Sequence, residues 1–162
     1  MPEITYSTRV ARPLEDLAEI LGHRPADWLA PFASIAAHAG EAAGDRSAGT
    51  APRGPRRSRN IDIDLADGPP DDDFARVDAV IRWHTSGFRW TFPQFEGRIV
   101  ARPDTAEACS VSLEGRYELP PGADDRGGYE AATIAAETAA SMLLSTLRAA
   151  VEEQVRTATT SA

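Results

Sequence analysis

Apolar and polar residues alternate along five segments of the chain, which is the pattern of half-buried β-strands. The first segment runs from Glu3 to Val10, and the other four lie in the second half of the sequence. Their apolar positions are Ile61, Ile63 and Leu65, then Val77, Ala79, Ile81 and Trp83, then Phe95, Gly97, Ile99 and Ala101, and finally Cys109, Val111, Leu113, Gly115, Tyr117 and Leu119. Turn-forming stretches separate them: Gly68-Pro69-Pro70, Ser86-Gly87 and Arg102-Pro103-Asp104. We therefore expect antiparallel neighbours with one solvated face.

A long terminal helix is predicted from Gly128 to Thr157, because its apolar residues recur every three or four positions. They are Ala140, Leu143, Leu144, Leu147, Val151 and Val155. Small residues dominate the first half of this helix, EAATIAAETAAS, and they either pack closely or leave room. The apolar faces of the strands need a surface to close upon, and this helix provides one.

Two shorter helices are predicted between the first strand and the rest of the sheet. The first begins at Pro13, whose ring suits the first turn of a helix. A turn carrying Trp28 follows. The second helix is expected from about Pro31 to Ala39, with Phe32 and Ile35 buried.

The periodic pattern disappears between residues 40 and 60. Gly, Ala, Pro and Ser dominate there, and four arginines crowd together, Arg53, Arg56, Arg57 and Arg59. We expect residues 40–60 to form a mobile Arg-rich loop, with a clamp for phosphate, nucleic acid or an acidic partner as the alternative. Residues 158–162 are expected to be a disordered tail. The whole chain, residues 1–162, has a length that suits one domain.

The predicted order is one strand, two helices, a meander of strands and a long terminal helix. An antiparallel sheet curved around the terminal helix buries all the apolar faces at once. The sequence therefore predicts an α+β fold.

Composition narrows the classes of function. The formal net charge of −8 at pH 7 disfavours nucleic acid and anionic membranes as partners. A single cysteine, Cys109, excludes an internal disulfide, and no Cys and His residues have the spacing of a zinc site. We expect no signal peptide and no membrane span, since no apolar run approaches roughly 18 residues. A cytoplasmic protein without metal or cofactor is the expectation.

Two runs in the second half, FPQFEGRIVARP and VSLEGRYELPPGA, precede the Ala-rich helix. With the order of elements around them, they resemble bacterial members of the START-like or SRPBCC superfamily, in the branch similar to polyketide cyclases and dehydratases. The resemblance implies a helix-grip fold, in which a curved antiparallel sheet wraps around a long C-terminal helix and encloses an apolar cavity. Residues 40–60 lie where the family has a further strand, so a smaller cavity is expected. Superfamily members include lipid carriers, hormone receptors, aromatic polyketide cyclases and oxygenase subunits, and the fold does not choose among them.

Inward-facing aromatic and hydroxyl side chains would line such a cavity. The residues expected to bind a ligand are Trp83, Thr85, Phe92, Phe95, Ile99 and Tyr117, with Ile134 and Met142 from the helix. Tyr6, Thr8, Cys109 and Leu113 are expected on the same inner face. Aromatic walls with a few hydroxyls suit an apolar ligand that has a polar tip. The alternative is that the same side chains interdigitate into a solid core.

Other chemistry-bearing residues have simpler interpretations. His84 alternates with Trp83, so we expect it on the solvent face and not as a general base. Cys109 is expected to be a buried thiol. The consecutive residues Asp71 to Asp73 lack the alternating spacing of a calcium loop and are expected to form a polar turn.

Three functions remain open. The leading hypothesis is non-catalytic binding of a small hydrophobic molecule, such as a lipid or an aromatic, polyketide-like compound. The second is an enzyme of the cyclase, aromatase or dehydratase kind, which needs an inward polar pair to move a proton. Its candidate residues are Tyr117, Tyr6 and Thr85. The third is a protein-interaction domain with a filled core.

Overall fold

Five strands and three helices make up the part of the chain that the computed structural model describes, residues 2–21, 24–49, 61–67, 77–85, 93–119 and 126–160. In chain order they are β1 (Glu3–Val10), α1 (Leu14–Leu21), α2 (Pro25–Ser47), β2 (Ile61–Asp67), β3 (Val77–Thr85), β4 (Gln94–Thr105), β5 (Ala108–Glu118) and α3 (Arg126–Thr160). The five strands predicted from alternation are confirmed. The predicted features at Gly68-Pro69-Pro70, Asp71 to Asp73, Ser86-Gly87 and Arg53 to Arg59 lie outside the described residues.

The strands form one antiparallel sheet in the order β1-β5-β4-β3-β2. Alternation directs one set of side chains to an inner face, where they are buried against the helices. This set includes Ile81, Trp83, Phe95, Ile99, Leu113 and Tyr117. Helix α3 packs against β1 and β5, while α2 packs against β2 and β3. The strand order and the long terminal helix confirm the predicted α+β helix-grip architecture.

The hairpin between β4 and β5 turns later than the sequence predicts. Strand β4 continues through Pro103 to Thr105, and the turn lies at residues 106–107. The prediction of a turn at residues 102–104 was therefore wrong. Pro103 is tolerated because the pairing between the strands shifts in register between Pro103 and Thr105, and such irregular positions do not need the missing N–H of proline.

Helix α2 is much longer than predicted. It runs from Pro25 to Ser47, contains Pro31, and includes Trp28. The predictions of a helix limited to residues 31–39 and of a loop that begins at residue 40 were wrong, since residues 40–47 are helical. Residues 50–60, the rest of the predicted Arg-rich loop, lie outside the described part of the chain.

Close packing of α2 against α3 explains why glycines belong in this helix. A Cβ atom on Gly40 would collide with the backbone carbonyl oxygen of Ala135. A Cβ atom on Gly44 would lie 3.0 Å from the carbonyl oxygen of Ala131. Small residues at this spacing let two helix backbones approach closely. The sequence therefore favours helix here through tertiary packing, which overrides the poor intrinsic propensity of glycine.

The short apolar face predicted within α2 is only partly correct. Ile35 is 54% exposed, so its predicted burial was wrong. Phe32 packs on the core and its ring contacts the ring of Trp28, with centroids 4.8 Å apart. Alanines and glycines occupy the buried side of this helix instead, including Ala33, Ala36, Ala37 and Gly40.

The terminal helix α3 runs from Arg126 to Thr160. Its predicted apolar face is confirmed from Ala140 to Val151, because Ala140, Leu143, Leu144, Leu147 and Val151 are all buried. The side chain of Val155, the last predicted member, lies outside the described residues. Residues 158–160 are helical, so the prediction of a disordered tail was wrong for them. The alanines in its first half pack closely, as the contacts with Gly40 and Gly44 show.

In the described part of the chain, α3 alone has the length and composition to cross a membrane. Between Arg126 and Gln154 a run of 18 residues reaches a mean hydropathy of 1.2, and 44% of that run is buried inside the protein. The sequence predicts no membrane span, because its apolar residues are not consecutive over this length. The core helix of a globular domain passes the same test, and the buried side of α3 packs on α2 and the sheet.

Candidate ligand-binding site

A row of three aromatic residues crosses the inner face at one end of the sheet. Trp83 on β3 lies opposite Phe95 on β4, which lies opposite Tyr117 on β5. The rings of Trp83 and Phe95 are stacked, with centroids 4.2 Å apart and planes 19° apart. All three side chains are buried, at 0%, 2% and 3% exposure. We call Trp83, Phe95 and Tyr117 the aromatic row.

The ring of Phe95 lies over a pair of glycines. Gly97 and Gly115 are directly opposite each other on β4 and β5, one step further along the inner face. A Cβ atom on Gly97 would lie 2.5 Å from Cζ of Phe95, and one on Gly115 would lie 2.6 Å from the same atom. Both glycines are therefore needed for the ring to lie this close to the backbone of the sheet. The glycine pair makes a hollow in the inner face, and Phe95 fills it.

The hydroxyl of Tyr117 connects the aromatic row to α3. It donates a hydrogen bond of 3.0 Å to the hydroxyl of Thr133, which donates one of 2.9 Å to the carbonyl oxygen of Tyr129. The polar end of the row thus meets the first half of the terminal helix. The sequence indicated Tyr117 but gave no reason to single out Thr133, since its partner comes from a distant strand.

The structure brings some predicted ligand-binding residues together and separates others. Ile99 is buried on the inner face, one row beyond the glycine pair, opposite Leu113. Ile134 and Met142 are half-buried on α3. Met142 lies with Tyr6 in a separate depression on the α3 side of β1, not at the aromatic row. Phe92 lies outside the described residues, and so does the side chain of Thr85, the last residue of β3.

The groove beside β1 lies between that strand and α3. It has a volume of about 330 Å³ and is lined by Tyr6, Ser7 and Thr8 from β1 and by Ser141, Leu144 and Ser145 from α3. Burial, and then the negative charge of Glu137, raise the pKa of Tyr6 above its ordinary value. We call this opening the β1–α3 groove. Ser141 and Ser145 are not among the residues predicted to bind a ligand, although their spacing of four places them on one helical face.

Charged residues cover the outer face of the sheet. Arg82, Glu96, Arg116 and Glu3 follow one another across four strands, with alternating sign. Arg82 donates a 2.8 Å hydrogen bond to Glu96, and this contact holds the pKa of that carboxyl below its ordinary value. Further along, Val100 and Ser112 are directly opposite and buried on this face. Their burial explains why Val100 breaks the alternation.

Acid–base groups lie away from the aromatic row. His84 is on the outer face, with 42% of its side chain exposed and its Nδ1 4.0 Å from a carboxylate oxygen of Asp64. Cys109 is fully buried, and burial raises the pKa of its thiol, with the charge of Asp104 adding to the effect. Both residues are placed as predicted. Among the described residues, no buried side chain is a carboxylate or an imidazole, and no group of three His, Cys, Asp or Glu is placed to hold a metal ion.

Comparisons with known proteins find four similar solved chains, two of which are named below. No protein-family model matches the chain, and no curated protein matches it. The Zhui aromatase/cyclase from Streptomyces sp. R1128 aligns with 97% of this chain and 97% of its own, at 13% identity and a TM-score of 0.47. A START superfamily protein from Mycobacterium smegmatis aligns with 94% of this chain and 98% of its own, at 14% identity and a TM-score of 0.37. At these values the function must be argued from the residues of this chain.

Proposed function

We propose that the protein binds a small hydrophobic molecule on the inner face of the sheet, between the aromatic row and α3. The observation that carries this proposal is the ring of Phe95 over the opposed Gly97 and Gly115. Two facing glycines remove both Cβ atoms from one place on the inner face. A flat apolar group can therefore lie directly against the backbone there.

The side chain that fills this hollow can be exchanged for a ligand. Phe95 is the second residue of β4, and Trp83 and Tyr117 are likewise near the strand ends at Thr85 and Glu118. The aromatic row thus lies near one end of the sheet, with the Ile61–Thr85 pair of β2 and β3 beyond it. A ligand that enters at this end and displaces the ring of Phe95 replaces one buried apolar surface with another. Each additional Å² of apolar surface that the ligand removes from water contributes about 25 cal/mol to binding. The bound state is then a minor state of the free protein that the ligand selects.

A polar tip on the ligand has a partner at the same place. The hydroxyls of Tyr117 and Thr133 lie 3.0 Å apart beside the row, and a ligand oxygen can bond to them. Hydrophobic walls with a small number of placed polar groups are typical of sites for small molecules. A lipid or an aromatic, polyketide-like compound has this chemistry.

The residues around the aromatic row favour binding without catalysis. A cyclase or dehydratase moves a proton with a positioned acid or base. The hydroxyl of Tyr117 is bonded to another hydroxyl and not to a carboxylate or an imidazole. The described buried side chains supply neither group.

Native mass spectrometry of the protein purified from its own host tests the proposal. The expected result is a complex with one apolar molecule, which organic extraction then releases for identification. The free chain alone, combined with no saturable uptake from a panel of fatty acids and polycyclic aromatic compounds, would overturn the proposal. A protein-interaction domain with a filled core would then be the better account.

A further inference from the structure

Strand β1 leaves one edge of the sheet open. In the described part of the chain it pairs with β5 on one side and with no strand on the other. An edge strand presents unpaired backbone groups to any further strand, and proteins usually protect such edges with Pro, Lys or a bulge. The sequence of β1, EITYSTRV, contains neither Pro nor Lys, and its register with β5 has no shift. The open edge of β1 can therefore pair with a further strand.

The register with β5 shows which backbone groups face the open edge. The N–H of Tyr117 donates to the carbonyl oxygen of Pro2 at 3.1 Å, in line with the register of β1 and β5. Hydrogen-bonded and non-hydrogen-bonded pairs alternate along an antiparallel ladder. The even-numbered residues of β1 therefore bond to β5. The outward backbone groups belong to Glu3, Thr5, Ser7 and Arg9.

The β1–α3 groove keeps this edge accessible from the helix side. Its α3 wall has the small side chains of Ser141, Ser145 and Ala149 close to β1. The longer Arg148 and Glu152 also line the groove and bond to each other at 3.1 Å. Glu152 accepts a second hydrogen bond, of 3.5 Å, from the N–H of Ala11, beyond the C-terminal end of β1. A strand added to β1 thus meets mainly hydroxyl and methyl groups from α3.

We propose that β1 pairs with β1 of a second copy of this chain, antiparallel, about a two-fold axis at Tyr6. The charges of the strand are complementary to themselves in this register. Glu3 lies opposite Arg9 of the other copy, and Thr5 lies opposite Ser7. Glu3, Thr5, Ser7 and Arg9 are also the residues whose backbone N–H and C=O groups face the open edge. The hydrogen-bond pattern and the charge pairs therefore favour the same register. Tyr6 meets Tyr6 of the other copy in a non-hydrogen-bonded pair, with Cβ atoms about 4.5–5.5 Å apart.

The contact that Arg9 makes within one copy leaves room for this pairing. Arg9 donates from Nε to Asp104 at 2.7 Å, and both side chains are exposed. The guanidinium group has five N–H donors, so it can contact two carboxylates at once. Exposed pairs of this kind are individually weak, and the backbone ladder supplies the rest of the interaction.

The opposite edge of the sheet lacks this self-complementarity. Strand β2, with the sequence IDIDLAD, has three aspartates and no basic residue. A second copy paired antiparallel with β2 would bring like charges together, which is unfavourable. Asp67 is also engaged by the N–H of Ala26 at 3.2 Å. Self-pairing is therefore specific to β1.

Sedimentation equilibrium of the full chain and its charge variants tests the proposal. The unmodified chain is expected to dimerise reversibly. Glu3→Arg or Arg9→Glu should weaken the dimer roughly tenfold, because each dimer has two such pairs. The double variant Glu3→Arg/Arg9→Glu should restore it. Ser7→Pro removes an outward N–H and should abolish dimerisation while circular dichroism shows an unchanged fold.

Cross-linking fixes the register independently. Under mild oxidation Tyr6→Cys should form a disulfide-linked dimer, because the two introduced thiols face each other across the axis. Thr8→Cys is the matched control, since Thr8 lies opposite Ile4 of the other copy and should cross-link far more slowly. Cys109 is buried and gives a low background. A monomer at the highest soluble concentration, a failed charge-swap rescue, or faster cross-linking at position 8 would each overturn the proposal, as would a monomer that binds only a foreign peptide at β1.

Discussion

The hydroxyl of Tyr117 on β5 lies 3.0 Å from the hydroxyl of Thr133 on α3 and donates a hydrogen bond to it. Thr133 then donates to the carbonyl oxygen of Tyr129. Tyr117 is 3% exposed, and this part-buried hydrogen bond connects the sheet to the terminal helix. It also marks the polar end of the proposed ligand site.

Removing only that hydroxyl should lower stability modestly. Tyr117→Phe is expected to reduce the free energy of unfolding by about 0.5–1.5 kcal/mol, the usual contribution of one neutral hydrogen bond. Urea denaturation followed by circular dichroism measures the change. Tyr129→Phe is the matched control, because Tyr129 is 47% exposed and contributes its backbone carbonyl to the network. Equal losses in both variants would show that the Tyr117 hydroxyl has no special role.

The packing of α2 on α3 reverses the usual effect of replacing a helical glycine. Gly→Ala inside an exposed helix stabilises by about 1 kcal/mol. Gly40→Ala should instead destabilise by about 1–3 kcal/mol, because the new methyl group would meet the backbone of Ala135. Gly127→Ala, at an exposed position in the first turn of α3, serves as the control and should be neutral or stabilising. A stabilised Gly40→Ala variant would contradict the close approach of the two helices.

The apolar face of α3 should be essential to the core. Leu147 is 1% exposed, and Leu147→Ala is expected to lower the free energy of unfolding by about 2–5 kcal/mol. Ser145→Ala changes an exposed residue of the same helix and should stay within about 0.5 kcal/mol of the unmodified protein. Thermal and chemical denaturation measure both variants. A loss of unfolding free energy below about 0.5 kcal/mol for Leu147→Ala would contradict the burial of Leu147.

Periodicity was sufficient to predict the strands and the face of α3, and insufficient to predict α2. Alternation identified Phe95, Ile99 and Tyr117 as inner-face residues because a strand has only two faces. Gly40 and Gly44 were assigned to a loop because glycine disfavours helix locally. Their helical state depends on contact with Ala131 and Ala135, which are distant in sequence and therefore invisible to local patterns.

Local patterns likewise predict only some features of the candidate site. The aromatic row follows from alternation, and so does the outward position of His84. The hollow beneath Phe95 requires Gly97 to lie opposite Gly115, and the sequence alone does not fix the register between β4 and β5. Thr133 and the serines of the β1–α3 groove were missed because polar residues on a helix usually face solvent.

The thiol of Cys109 should make stability fall at alkaline pH. Burial raises its pKa above the ordinary value, so the folded chain holds this proton at a pH where the unfolded chain has released it. Stability from this group is complete below the thiol's unfolded pKa of about 8.5 and declines as pH rises towards the folded pKa. Comparing the pH dependence of unfolding with that of Cys109→Ala isolates the effect, and identical curves would contradict it. Alkylation of the native thiol should likewise be slow until urea unfolds the chain.

Equilibrium titration of apolar ligands into Phe95→Leu and the unmodified protein tests the central claim most directly. Fatty acids, polycyclic aromatic compounds and an environment-sensitive dye should bind the unmodified chain at about one equivalent. Phe95→Leu should bind the same ligand on the order of tenfold more tightly, because a binding-competent hollow no longer requires displacement of the ring. Leu147→Ala, which opens space elsewhere in the core, should bind as the unmodified chain does. Saturable binding that Phe95→Leu leaves unchanged, or no binding to either protein, would contradict a ligand site at the aromatic row.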